Sequence, residues 1–254
     1  MPTIPVSTTT LVNRSVQAFS GVFRGWRTGR VLLLSTILAG GLLGPAEAAH
    51  GQVVAMDEAT FRLTRGGSEV GREHITIHRL GLGQDARIIG QSEITLTDGS
   101  QLRPRLEATT DLRASSYQNE FTGAETGEVI VSRVGRRLVA RSRSAAGESQ
   151  REYPASERTV ILEPEVVLLY YFLQPWAGSD TDLTVLDPRA GSRQTLTLRL
   201  MGPEEVRVGR NPVSARHLRL EGSESRVDVW MDDQGRVLRL EVPGSGFAAE
   251  RLPS

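Results

Sequence analysis

Hydrophobic and polar residues alternate along most of the chain beyond residue 60. Phe61 and Leu63 are separated by a polar residue, and Ile75 and Ile77 follow the same rule a few positions later. This period of two is typical of strands that bury one face. Turn residues recur about every 8–12 positions, so the pattern predicts about ten to twelve strands in an all-β sandwich or barrel.

Several turns can be placed from residue type alone. Residues 65–68 (Arg-Gly-Gly-Ser) and 97–100 (Thr-Asp-Gly-Ser) separate alternating runs, and glycines there permit the positive φ of tight hairpins. Residues 232–235 (Asp-Asp-Gln-Gly) predict a third turn. Pro104 interrupts a predicted strand, which indicates an edge strand or a bulge because proline cannot donate to a ladder.

One segment departs from the alternation. Residues 163–176 are apolar on every side between Pro164 and Pro175. A proline near the start, with Glu163 and Glu165 beside it, favours the first turn of a helix, and Pro175 would end that helix. A helix that is apolar all round must be buried. We predict a short helix here, and a central strand buried on both faces stays open as the alternative.

The start of the chain has the features of a secretory signal peptide. Val31–Gly44 is an uncharged apolar run that follows four arginines and precedes Ala46-Glu47-Ala48. A basic flank, a short apolar core and an A-x-A site together predict export and cleavage. We therefore divide the chain into a signal peptide over residues 1–48 and a single β-rich domain over residues 49–254. A retained signal anchor is the alternative.

The amino-acid composition of the chain argues against several classes of protein. The chain has no cysteine, so neither disulfides nor attachment of a lipid through a cysteine is expected. Cleavage would remove four arginines and one glutamate from a chain of zero net charge, which leaves the mature domain acidic. An acidic domain argues against nucleic-acid binding. No second apolar stretch reaches membrane-spanning length, so we predict no membrane span after cleavage.

Motifs for catalysis or metal binding are weak. His74 and His78 have a spacing that binds zinc on a helix, but their β-branched surroundings predict a strand. On a strand the two rings would stand about 13 Å apart, too far to share an ion. The sequence contains neither a G-x-S-x-G elbow nor a cysteine nucleophile. We therefore predict no catalytic residues, no metal site and no cofactor.

The aromatic and aliphatic side chains of the mid-chain helix are the candidate ligand contacts. Core packing and ligand contact are compatible roles for such a helix, because it can share its apolar surface between core and cavity. The predicted ligand-binding residues are Val166, Leu169, Tyr170, Phe172 and Trp176.

Three features together resemble a known group of proteins. They are the hairpin F-x-L-x-x-G-G-x-x-x-G over Phe61–Gly71, the apolar segment Val166–Leu173, and the strand–turn–strand Val227–Leu240. The chain resembles bacterial envelope proteins of unknown function whose curved antiparallel sheets are similar to the Lol-type lipoprotein carriers. The resemblance implies one strongly curved antiparallel sheet, an open half-barrel, with a short helix over its concave face. It brings no catalytic residues.

The resulting expectation is an exported, periplasmic or secreted protein that is not an enzyme. Its partner would be a lipid or another apolar ligand, or an envelope protein, held on the concave face of the sheet. Two alternatives belong to other classes. One is a secreted hydrolase of polysaccharide or lipid, which would need a polar cleft with convergent carboxylates or a Ser–His pair. The other is an assembly protein that acts through a sheet edge.

Overall fold

The computed structural model describes residues 53–223 and 225–253, so the predicted signal peptide over residues 1–48 lies outside the described residues. The fold is mainly β, as predicted. The first eight strands are β1 (Val53–Arg65), β2 (Ser68–Leu80), β3 (Arg87–Leu96), β4 (Gln101–Thr109), β5 (Ala114–Thr122), β6 (Gly127–Val134), β7 (Arg137–Ser144) and β8 (Gly147–Pro154). The remaining strands are β9 (Thr159–Ile161), β10 (Thr181–Asp187), β11 (Ser192–Val208), β12 (Asn211–Glu221), β13 (Arg226–Met231), β14 (Val237–Val242) and β15 (Phe247–Arg251).

All fifteen strands form one sheet, in the order β8-β7-β6-β5-β4-β3-β2-β1-β15-β14-β13-β12-β11-β10-β9. Neighbouring strands are antiparallel except β9, which pairs in parallel with β10. The first and last strands of this order, β8 and β9, have no ladder between them in the described part of the chain. The predicted single open antiparallel sheet is therefore confirmed.

The predicted hairpin turns are present. Gly66 and Gly67 alone connect β1 to β2, with φ of +57° and +84°. Two consecutive positive φ values match the twist of a tight hairpin, and glycine adopts them without steric cost. In the β3–β4 hairpin Gly99 has φ +88°, and the Asp98 carboxylate accepts a hydrogen bond from the Ser100 amide at 2.8 Å.

The sheet curls until its two ends meet. Only residues 155–158 connect β8 at one end of the strand order to β9 at the other. Side chains of β8 also reach the turn after β10, where Tyr153 Oη and Arg151 Nη1 donate to the Gly191 carbonyl at 3.1 and 2.9 Å. Because side chains and not a ladder bridge this junction, the sheet stays open while it encloses an interior.

The predicted helix is confirmed inside this curl. α1 (Val167–Tyr170) continues as a 3-10 segment over Tyr171–Trp176. Every residue from Val166 to Leu173 is buried, in one core with the concave face of the sheet. Pro164 precedes the helix and does not lie in its first turn, and Pro175 lies within the 3-10 segment.

The described part of the chain forms fifteen strands, against the ten to twelve that the alternation predicts. Residues 145–149 contain the tight turn between β7 and β8 and the start of β8. The strands β9 and β15 are too short for a clear alternation. Pro104 lies in β4, an inner strand between β3 and β5, so the edge prediction is wrong. In the ladder between β3 and β4, Pro104 has no paired residue on β3. The missing N–H of proline therefore leaves no residue of β3 without a hydrogen-bond donor.

No helix among the described residues is long and apolar enough to cross a membrane.

Candidate functional site

A partly open cavity of about 840 Å³ lies at one end of the curled sheet. At this end six hairpins reverse the chain, and residues at or beside each turn contribute to the lining. These residues are Arg65, Asp98, Glu125, Arg189, Ser225 and Gly244. The volume falls within the range of about 300–1,000 Å³ that small-molecule sites occupy.

The walls of the cavity are mostly aliphatic and come from both halves of the sheet. The alternation of each strand decides which side chains face inward, and these inward residues include Leu63, Ile94, Leu102, Val185, Leu196 and Phe247. Segment 162–166 and Tyr170 form the floor. The interior of the sheet is thus filled by α1 at one end and left hollow at the other.

The predicted ligand contacts divide into two groups. Val166 and Tyr170 line the cavity. Leu169 and Phe172 are buried in the core and are not part of the lining, and Trp176 is half-buried against the same core. The Phe172 ring packs under β3, where a Cβ on Gly90 would stand only 3.1 Å from it. α1 therefore presents one side to the cavity and the rest to the sheet.

A buried carboxyl group belongs to the floor of the cavity. Glu163 precedes α1 and is 4 % exposed. Its Oε1 accepts a hydrogen bond from Tyr117 Oη at 2.7 Å, and its Oε2 accepts one from Asn119 Nδ2 at 3.0 Å. Burial, together with the nearby Asp187 carboxylate, raises the pKa of Glu163 to about 7, against the opposing effects of Tyr117, Arg189 and Asn119.

Two charged groups accompany Glu163. Asp187 ends β10, and its Oδ1 accepts a hydrogen bond from the Ala190 amide at 2.9 Å. Burial raises the pKa of Asp187 as well. Arg189, in the following turn, places its guanidinium 4.8 Å from the centre of the Phe121 ring. The cavity therefore combines apolar walls with a small polar group of two carboxyls and one guanidinium.

A second buried carboxyl group, Glu73 of β2, holds the start of α1. Glu73 is fully buried and accepts hydrogen bonds from the amides of Val167 and Leu168 at 2.9 and 3.0 Å, and from Ser92 Oγ at 2.9 Å. Burial raises its pKa to about 7, although these three hydrogen bonds act to lower it. Glu73 therefore caps the helix that closes the cavity floor.

The sequence prediction missed the polar floor. The sequence pattern places Glu163 beside a helix start and gives Tyr117 and Asn119 no functional role. One signal was available, because Tyr117, Asn119 and Phe121 alternate and so place an amide among inward-facing aromatic rings. Nothing local to residue 187 or 189 indicates that the turn after β10 faces Glu163.

Another polar cluster occupies the outer face of β11–β14. His217 lies between two carboxylates, with Nδ1 at 2.8 Å from Glu204 and Nε2 at 2.7 Å from Asp228. The Trp230 ring stacks on His217 with centroids 4.4 Å apart, and its Nε1 donates to Glu204 at 2.8 Å. Both ring nitrogens of His217 therefore lie within hydrogen-bond distance of carboxylate oxygens.

His74 and His78 lie on the outer face of β2, as the alternation predicted. His74 is exposed, with Nδ1 at 3.2 Å from the Thr60 hydroxyl, and His78 is half-buried. Within residues 53–223 and 225–253 no group of three or more His, Asp or Glu side chains could hold a metal ion.

Fold and cavity define a class: a mainly β protein with one open, curled sheet and an apolar cavity floored by a short helix. Residues 134–252 match the family model of a domain of unknown function, DUF6134. A crystal structure described as a beta-barrel-like protein of domain of unknown function DUF1849, from Brucella abortus, is similar to this chain. The match has a TM-score of 0.48 and 10 % identity over 77 % of this chain and 94 % of that chain. No curated protein matches the chain.

Proposed function

We propose that this protein is exported and binds an apolar, lipid-like molecule in the cavity, without catalysing its conversion. The observation that carries the proposal is the hollow itself. About 840 Å³ is left among aliphatic side chains inside an otherwise close-packed core. Protein interiors are packed with few voids larger than a water molecule, so a space of this size is a feature that a ligand would fill.

The position of the cavity supports reversible binding. The hairpin turns surround it, so an elongated molecule could enter between them without opening any ladder of the sheet. The buried helix closes the opposite end, and its N-terminal amides are already bonded to Glu73. Strands and helix together would hold the walls in place before a ligand arrives, which lowers the free-energy cost of binding.

Binding can be tested with an uncharged apolar fluorophore, N-phenyl-1-naphthylamine. We expect saturable binding to the purified domain, because the cavity excludes water from the probe. Val70→Asp would place a carboxylate in the cavity wall and weaken binding about tenfold or more, as an unpaired charge against an apolar ligand costs at least 1.4 kcal/mol. The matched control is Val139→Asp, on the outer face of β7, which should bind the probe like the wild type.

Native mass spectrometry of protein purified from its own envelope provides the second test. A co-purified mass of lipid size would support the proposal. A clean apo mass together with no saturable probe binding would overturn it. Chemical conversion of an added ester or glycoside by the wild type, lost in the Glu163→Gln variant, would favour the hydrolase alternative instead.

Export is tested separately by N-terminal sequencing of the protein from its native host. Cleavage at the predicted A-x-A site gives a chain that begins at Ala49. A chain that still contains residues 24–44 would contradict cleavage and would indicate a membrane-tethered protein.

A further inference from the structure

The charges around the cavity are unequal. Its lining contains five carboxyl groups and three guanidinium groups, and two of the three guanidiniums are already engaged. Arg65 pairs with Glu165, and Arg226 donates to the buried carboxylate of Asp228 at 2.7 Å. The carboxyl groups are Asp98, Glu125, Glu163, Glu165 and Asp187. The lining therefore has an excess of acceptors and of negative charge.

Acceptor capacity is concentrated at the floor. Glu163 receives two hydrogen bonds, whereas a carboxylate has about four lone-pair positions. The adjacent Asn119, which is fully buried and faces the interior of the sheet, has an Oδ1 without a hydrogen-bond partner in the described structure. Asn119 is not part of the cavity lining, so Glu163 and Asp187 are the acceptors of the floor that a donor bound in the cavity can reach.

The neighbours of Glu163 determine which donor fits. Tyr117 and Asn119 approach it from β5, Asp187 approaches from β10, and Arg189 approaches from the following turn. Among these neighbours only Arg189 is cationic, and its guanidinium lies 4.8 Å from the centre of the Phe121 ring. Arg189 is one cation for two carboxyls, so the pair keeps an excess of negative charge when both are ionised, and a negatively charged group would be repelled there.

We propose that the cavity selects an amphiphile with a protonated amine at its polar end, with the ammonium at Glu163 and Asp187 and the apolar chain along the aliphatic walls. An ammonium has three donors and no acceptor, which complements the acceptor positions that Glu163 and Asp187 leave unfilled. Its charge would compensate the two carboxyls in a desolvated place, where charge-assisted hydrogen bonds are strongest. This inference rests on the proposed function and specifies its ligand class.

The test compares three ligands that share one alkyl chain: dodecylamine, dodecan-1-ol and dodecanoate. Each displaces N-phenyl-1-naphthylamine from the cavity at concentrations below micelle formation. We expect dodecylamine to displace the probe at a concentration about tenfold or more below that of dodecanoate, with the alcohol between them. Glu163→Gln keeps the shape and removes the charge, so it should bring the amine close to the alcohol.

The pH profile distinguishes a headgroup contact from general attraction to an acidic protein. Because Glu163 has a pKa of about 7, its ionised fraction rises about tenfold between about pH 6 and about pH 8, and the affinity for dodecylamine should rise with it. The alcohol should show no such rise, and neither should Glu163→Gln with the amine. Glu120→Gln, on the outer face of β5, is the matched control and should keep the wild-type profile.

Each outcome separates the two proposals. Equal displacement by amine and carboxylate, with saturable probe binding, would overturn the ammonium site and leave the apolar cavity standing. Absence of probe binding would overturn the proposed function itself. If Glu163→Gln does not fold, as judged by its thermal unfolding, Asp187→Asn takes its place and must also reduce the preference for the amine.

Discussion

At the scale of single residues, the fit between α1 and the sheet depends on a missing side chain. Gly90 of β3 faces α1, and a Cβ there would stand 2.8 Å from Leu168 Cδ1 and 3.1 Å from the Phe172 ring. An added Cβ would force the end of Leu168 or the Phe172 ring to move, so it is the packing, and not the backbone angles, that favours glycine here. This contact explains why Phe172 belongs to the core.

Gly90→Ala should therefore destabilise the protein by about 1–3 kcal/mol, because overpacking forces α1 or β3 to shift. The measurement is the free energy of unfolding in urea. Gly178→Ala is the matched control, since a Cβ at Gly178 meets nothing within 4 Å. Equal stability of Gly90→Ala and the wild type would show that α1 adjusts freely and does not pack closely on β3.

At the scale of elements, α1 is held by a residue far away in the sequence. None of its own first-turn residues is acidic, and the carboxylate at its N-terminus comes from Glu73 on β2. Four residues of α-helix cannot persist alone, because nucleation is unfavourable. The helix therefore exists because the sheet supplies both an apolar surface and an acceptor for its first amides.

The Glu73 contact predicts a definite pH dependence of stability. The pKa of Glu73 is raised from 4.5 to about 7 in the folded protein, so the folded state binds this proton more tightly than the unfolded chain. The free energy of unfolding should consequently fall as the pH rises from about 4.5 to about 7, by roughly 3 kcal/mol for this group, and level off above.

Glu73→Gln removes the titrating proton and keeps one of the two oxygens that accept from the helix amides. We expect it to unfold at a higher temperature than the wild type at about pH 8 and at a similar temperature at about pH 5, because only the ionised carboxylate is penalised by burial. Glu69→Gln, at an exposed position of the same strand, should show no such pH-dependent difference. A difference between Glu73→Gln and wild type that does not change with pH would contradict this account.

At the scale of the whole molecule, burial is distributed unevenly over one continuous sheet. The central strands β1 and β2 bury alternate residues against the core. The distal half of the β7–β8 hairpin, residues 141–151, has no buried residue on either face. Elements with few buried contacts open locally at a lower free-energy cost than the core strands.

Amide hydrogen exchange should therefore begin in residues 141–151 while β1 and β2 remain protected. The expected difference in protection is at least about tenfold, and it reflects local opening and not global unfolding. Exchange followed by mass spectrometry of peptides from both regions measures it. Equal protection would indicate that a partner or a second copy covers this hairpin.

Much of this fold was predictable from short stretches of sequence. The alternation at Phe61 or Ile75 depends only on the geometry of an extended chain, and the Gly66-Gly67 turn depends only on steric freedom at two residues. The helix over residues 167–176 was predictable because a segment that is apolar on all sides must be buried. These features were correct because each is determined within about a dozen neighbouring residues.

Only the tertiary structure decided how the strands combine and what the interior contains. The inner position of Pro104 and the parallel pairing of β9 depend on partners far away in the sequence. The cavity cannot be deduced from the hydrophobic–polar alternation. It exists because side chains from the two halves of the sheet do not fill the space between them. Glu73 and Glu163 acquire raised pKa values for the same reason: their burial is imposed by the curl of the whole sheet around α1.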